Sequence, residues 1–133
     1  MATNQKKEER IFTVAQLNAM VKVTLDASLP PRLTVVGEIG SWNRNASSGH
    51  CYFTLKDEDS QLPCVMWRSD ATRLKFKPET GLKVLAHGNI DVYIPHGKYQ
   101  LIADRLEPAG QGALQLAFEQ MRARLEKEGL FDP

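Results

Sequence analysis

The stretch Gly37–Asp59, GEIGSWNRNASSGHCYFTLKDED, decides the fold. It reads as a strand, a polar loop containing glycine, a second strand and an acidic turn. In the second strand, His50 to Lys56, the residues Cys51, Phe53 and Leu55 fall on one side. His50, Tyr52, Thr54 and Lys56 fall on the other, the period of two that a half-buried strand requires. The first set suits a core. The second presents an aromatic ring, a hydroxyl and two potential cations on an open face. Such a face, beside a loop rich in Arg, Asn and Ser, has what a single-stranded nucleic acid needs: a surface for bases to stack on and charge to follow the phosphates.

Four more strands flank this one. Arg32 to about Trp42 forms the first, and Gly37 and Gly40 within it mark a bend or bulge of the kind that turns the corner of a small barrel. Leu62–Arg68 forms the third, reached through a hairpin turn at Glu58–Gln61. Leu82–Tyr93 forms the fourth, with Leu82, Val84, Ala86, Gly88, Ile90 and Val92 on one face. Pro95-His96-Gly97 supplies a turn into the fifth, Lys98–Leu106. Ser69–Phe76 leaves room for a short helix between strands three and four.

A helix precedes the strands. Thr13 and Gln16 have the spacing of a capping box, and Phe12 and Leu17 that of a hydrophobic staple. Val14, Leu17, Val21 and Leu25 make an apolar stripe for packing on a neighbour, and Pro30-Pro31 ends the helix. Another helix spans Gly112–Glu128, with Leu114, Phe118, Met121 and Leu125 at helical spacing. Gly129 caps it, and Leu130 is placed to touch Leu125. Helix, three strands, short helix and two strands is the order of a mainly β, five-stranded OB-fold Greek-key barrel with added N- and C-terminal helices. The expected organisation is a disordered N-terminus over residues 1–11, the first helix over 12–30 and the barrel over 31–108. Residues 109–133 form a helix leading toward a domain that this chain does not include.

With 133 residues the chain supports one domain with a real core. Seventeen basic residues against 16 acidic ones leave a net charge of +1, which selects no partner. No apolar run is long enough for a membrane span or a signal segment, so a cytoplasmic protein without membrane contact is expected. Cys51 and Cys64 then read as reduced core thiols. A metal site from Cys51, Cys64 and His50 lacks ligand spacing, and Asp57, Glu58 and Asp59 fit a tight turn better than a cation site. No nucleophile–base spacing and no phosphate-cradling glycine loop is present, so no catalytic residue is expected.

The candidate binding residues lie on the open face and at its two lips. Tyr52 can stack a base, although tyrosine also suits any pleated surface. His50 can stack or contact phosphate, and Lys56 can follow the backbone or answer Asp57 and Glu58. Arg44, in the loop Asn43–Gly49, is the best phosphate contact, with loop amides and hydroxyls as further donors. Tyr93, His96 and Lys98 cluster at the opposite lip. Trp67, in the apolar run Cys64-Val65-Met66-Trp67, is assigned to the core, and Trp42 to a more open edge. Arg73, Lys75 and Lys77 fit a solvated face.

The blocks Val36-Gly37-Glu38-Ile39, Ser48-Gly49-His50 and Tyr52-Phe53-Thr54-Leu55-Lys56-Asp57 also resemble a known family. Cys64-Val65-Met66, Leu74-Lys75-Phe76, Gly81-Leu82-Lys83-Val84, Tyr99-Gln100-Leu101 and Glu107-Pro108-Ala109-Gly110 continue the series. Gly129-Leu130-Phe131-Asp132-Pro133 completes it. In this order they resemble the N-terminal domain of the exodeoxyribonuclease VII large-subunit family, from about Ile11 to the chain's end. His96 and Trp42 fall outside the blocks, so their roles rest on position alone.

The resemblance implies an OB-fold that holds single-stranded DNA for a nuclease degrading it from either end to short oligonucleotides and then mononucleotides. It further implies partnership with a small helical subunit through the part C-terminal to this chain, and catalytic residues in that part. The present chain is thus expected to bind and not to cleave. No cofactor is expected in it, and its residues say nothing of a divalent-metal requirement in the longer enzyme. Two alternatives stay open: an OB domain for tRNA or other RNA, and a protein-interaction module docking through its two amphipathic helices.

Overall fold

Period-two alternation becomes the inner and outer faces of a closed sheet. The computed structural model describes residues 9–127. The elements run α1 (Val14–Ser28), β1 (Leu33–Arg44), β2 (Cys51–Lys56), β3 (Gln61–Met66), α2 (Arg68–Ala71), β4 (Lys83–Tyr93), a 3₁₀ turn (Ile94–His96), β5 (Lys98–Pro108) and α3 (Gln111–Lys127). The strands close into a barrel in the order β1-β2-β3-β5-β4, with β4 returning to β1. All pairings are antiparallel except β3 with β5, which join in parallel through Cys64–Leu101 and Val65–Ile102. This is the five-stranded OB barrel expected from the element order. The cap and contact expected at Gly129 and Leu130, and most of the expected disordered stretch 1–11, lie outside the described residues.

Inside the barrel, Ile39, Phe53, Leu55, Met66, Val84 and Leu101 are buried together with Cys51, Cys64, Ala86 and Ala103. Both cysteines are free and buried, as the sequence implies, and burial pushes the Cys64 thiol up to about 12. Two bulges bend the sheet. Gly40 is the extra residue of β1, between the pairs Ile39–Leu55 and Ser41–Thr54. Asp104 is that of β5, between His87–Arg105 and Gly88–Ala103. At Gly88 the strands approach so closely that a β-carbon would sit 1.9 Å from the carbonyl oxygen of Ile102.

The three helices sharpen or correct the expectations. The short helix expected between β3 and β4 is present as one turn, Arg68–Ala71. Trp67 at its N-cap accepts no amide through its side chain, and four residues gain little from a costly nucleus. The barrel end is filled instead by Phe76, Leu74 and Ala71. Second, α1 begins at the expected capping box, with Thr13 and Gln16 exchanging both bonds. Its stripe is not what packs: Val14, Leu17 and Val21 stay exposed, and only Leu25 is half-buried. The helix docks on the 3₁₀ turn and β4 through Asn18 and Lys22, which bond the Ile94 carbonyl and the Asp91 carboxylate. Third, Leu114, Phe118 and Met121 of α3 are also exposed, while Ala113 is buried and Ala117 packs against the core. The Gln120 side chain accepts from the Lys77 amide at 2.7 Å and donates to its carbonyl at 3.2 Å, fixing α3 to the loop before β4. Among the described residues no helix is long and apolar enough to cross a membrane.

Gly88→Ala should cost about 3 kcal/mol or more in urea unfolding, because the obstructing atom is backbone and cannot rotate away. A second expectation concerns acid. Arg32 grips Asp104 with both guanidinium nitrogens, at 2.5 and 2.6 Å, and this hydrogen-bonded contact holds the carboxyl below the usual Asp range. Its stabilisation is fully present above the unfolded value of about 3.9 and is lost as pH falls through the lower folded value. Unfolding followed from pH 5 to 2 should therefore show a shallower loss of stability in Asp104→Asn than in the wild type.

Candidate nucleic-acid interface

The alternation that buries Cys51, Phe53 and Leu55 turns Tyr52, Thr54 and Lys56 to the outside. Tyr52 is 46% exposed near the middle of the sheet. In register it lies between Asn43 of β1 and Val65 of β3. Thr54 accepts a hydrogen bond from the Ser41 hydroxyl, and Lys56 lies against Gly40, where the bulge leaves room for its stem. Lys56 makes no ion pair with a described residue. Asp57 is occupied elsewhere, accepting the amides of Asp59 and Ser60 through one carboxylate oxygen. Those two amide bonds lower its pKa. The acidic cluster is thus a side-chain-stabilised turn, and among the described residues no group of three His, Cys, Asp or Glu stands ready for a metal.

The loop between β1 and β2 is built around Asn45. Its side-chain oxygen accepts from the Ser47 amide at 3.0 Å, the Ser47 hydroxyl at 2.8 Å and the Ser48 amide at 3.0 Å. The backbone closes the loop through Asn45 N–H to the His50 carbonyl and Gly49 N–H to the Asn45 carbonyl. Several donors expected to meet phosphate are therefore spent on the loop itself. Arg44 remains exposed at its base and, among the described residues, unpaired.

His50 is only half exposed. Its Nδ1 accepts the Arg68 amide at 3.0 Å, which places a ring proton on Nε2. The ring meets Trp67 edge to face at 5.0 Å. Trp67 is thus not a core residue: it is 40% exposed, beside His50. Trp42 is the tryptophan that packs, with its ring 4.8 Å from Phe53 against the core. The two assignments are reversed because an unbroken apolar run carries no facing information, whereas the pairing register does. Cys51 opposite Met66 sets His50 beside Trp67.

At the other lip, Tyr93 and His96 meet edge to face at 4.9 Å, and Lys98 is paired across from Tyr93. The turn is a 3₁₀ segment closed by Gly97 in the left-handed region at φ 61°. The Asn18 side chain of α1 donates to the Ile94 carbonyl at 3.0 Å and lies against Gly97. Counting along the register, Tyr52 and Tyr93 are roughly 20 Å apart over the curved outer face. By register Arg44 and His50 lie at one end and Tyr93, His96 and Lys98 at the other, with Tyr52 nearer the first and Lys56, paired with Gln61, nearer the second. The structure adds Trp67, which the sequence reading placed in the core, gives Asn45, expected only as a loop donor, a positioning role, and brings in Arg68 and the positioning residue Asn18, which that reading did not single out.

A closed five-stranded barrel with an aromatic and basic outer face defines a class. The chain belongs to the OB-fold nucleic acid binding domain family, whose pattern matches residues 12–107. Within that class its sequence is homologous to exodeoxyribonuclease 7 large subunits. It is 48% identical to that of Halothermothrix orenii over 126 residues, covering 94% of this chain and 31% of the relative. It is also 48% identical to that of Xanthomonas oryzae pv. oryzae over 127 residues, covering 96% and 28%. The chain therefore spans less than a third of the curated relatives it matches. A Replication Protein A heterotrimer solved bound to ssDNA shares the fold, with a TM-score of 0.51 at 18% identity over 77% of this chain and 78% of that one.

Removing the loop's hub should loosen the loop alone. Asn45→Ala should speed amide exchange at Ser47 and Ser48 about fivefold to tenfold, given roughly 1 kcal/mol per hydrogen bond, with little change in melting temperature.

Proposed function

We propose that this domain holds single-stranded DNA for an exodeoxyribonuclease and does not cleave it unaided. The observation that carries the reading is Tyr52, exposed at the centre of a sheet face with unpaired cations toward both lips. A base on such a ring gains about 1–3 kcal/mol regardless of its identity, which suits an enzyme that must accept any sequence. Arg44, Lys56 and Lys98 follow the phosphates, while Tyr93 and His96 supply a second aromatic contact. The 48% identity to exodeoxyribonuclease 7 large subunits supports assigning the strand to a nuclease. Hydrolysis is then assigned to the part of the relatives that this chain does not cover. A small helical partner subunit and a cytoplasmic location fit the same reading.

Titration of labelled oligothymidine at several salt concentrations tests it. If about four phosphates are neutralised, affinity should fall on the order of fifty-fold between roughly 50 and 200 mM salt. Tyr52→Ala should weaken binding by about 1–3 kcal/mol and leave the melting temperature nearly unchanged. Flat, millimolar binding in every condition would refute the proposal, and tighter binding of the matched RNA would redirect it to RNA.

A further inference from the structure

Two features take no part in the strand-holding face: the lysines on either side of Phe76 and the apolar stripe of α3. The fold brings them together. Phe76 is 8% exposed in the barrel end, while Lys75 and Lys77 stay exposed around it. Their loop is bolted to α3, because the Gln120 side chain takes both the amide and the carbonyl of Lys77, at 2.7 and 3.2 Å. Beside that bolt a wedge-shaped cleft of about 450 Å³ opens between loop and helix. Leu74, Met121 and Ala123 form its apolar walls, and Lys75, Lys77 and Arg124 its rim.

The charge of this rim is uncompensated. No carboxylate lines the wedge, and none of its three cations makes an ion pair with a described residue. The acids of α3 are engaged along the helix itself: Glu126 accepts from Arg122 and Glu119 from Gln115, each at 3.2 Å. The apolar side is open as well. Met121 is 41% exposed, and Phe118, one turn before it on the same stripe, is 60% exposed. Cations around a low-dielectric wall focus their field into the cleft and attract an anion. The aromatic ring beside the wedge, Phe76, is buried and offers a base nothing to stack on. Carboxylates for the rim and an apolar side chain for the walls are what fit.

We propose that the wedge between the 74–77 loop and α3 docks an acidic segment of a partner protein that carries a large apolar side chain. The apolar side chain enters between Leu74 and Met121. Carboxylates beside it meet Lys75 and Lys77 on the loop side and Arg124 on the helix side, the charge logic by which basic clusters read acidic motifs. A second apolar residue of the segment reaches Phe118. The bonds of Gln120 to Lys77 fix the walls before anything binds, so little ordering cost falls on the complex. The wedge shares no residue with the strand-holding face, and the proposal stands independently of that role.

Selection of a displayed library of random short peptides on the whole chain supplies the probe. Enriched sequences should join several Asp or Glu to a Leu, Ile or Phe. The leading peptide, synthesised with a fluorescent label, is then titrated by anisotropy. Lys75→Glu combined with Lys77→Glu should weaken it at least about tenfold by charge reversal, and Met121→Glu by about as much by placing a charge on the apolar wall. These side chains are exposed, so the melting temperature should barely move. Arg124→Glu should give the same loss from the helix side, and it decides the matter if a loop variant fails to fold. Unlabelled oligothymidine should not displace the peptide. Selection that enriches nothing, or enriches neutral or basic peptides, would overturn the proposal. So would full affinity in the variants, or displacement by oligothymidine, which would hand the wedge to nucleic acid.

Discussion

Two residue pairs close this barrel. The parallel contact of Cys64 with Leu101 and Val65 with Ile102 is the shortest pairing in the sheet, and it joins strands far apart in sequence. Without it the five strands are an open sheet in the order β3-β2-β1-β4-β5. With it, alternate residues are sorted into an interior and an exterior, and the loops after β1 and β4 come to opposite ends of one surface. Contacts of such sequence separation carry a large loop-closure cost before any return. The core that offsets it is the set of small and medium side chains, such as Ala86, Ala103 and Leu101, that permit close approach. Gly88 belongs to the same constraint, since only its missing side chain lets β4 and β5 meet beside the bulge.

The two lips of the outer face acquire their shapes by different means. The first loop is satisfied from within, through the Asn45 carbonyl group of the side chain and the backbone bonds around it. The second leans on α1, whose Asn18 fixes the Ile94 carbonyl from outside the barrel. The N-terminal helix therefore contributes to the face by polar attachment. Its apolar residues Val14, Leu17 and Val21 take no part in that attachment and remain exposed.

Much of this was legible in the chain. The strict alternation from Cys51 to Leu55, the capping box at Thr13 and Gln16, and Gly40 as a bulge each express a local rule that tertiary contacts did not override. The misreadings share one cause. Periodicity reports which residues are apolar, but not which side of an element has a neighbour. The stripes of α1 and α3 are real and yet exposed. Trp67, at the end of an apolar run without alternation, could be placed only by counting the register back through the Glu58–Gln61 turn. The short helix between β3 and β4 takes one turn of the span left for it, and Leu74 and Phe76 pack against the core beyond it.

The internal completeness of the Asn45 loop has a thermodynamic consequence. A loop that must be ordered by its ligand charges that ordering to the binding equilibrium, as a large unfavourable entropy and a heat-capacity change out of proportion to the contact area. Here the order is established when the chain folds. Association at this lip is then close to rigid docking, with a modest heat-capacity change and a rate set by diffusion and charge rather than by loop closure. Under the strand-holding role proposed above, a strand moving through such a site would meet the same shape at every step.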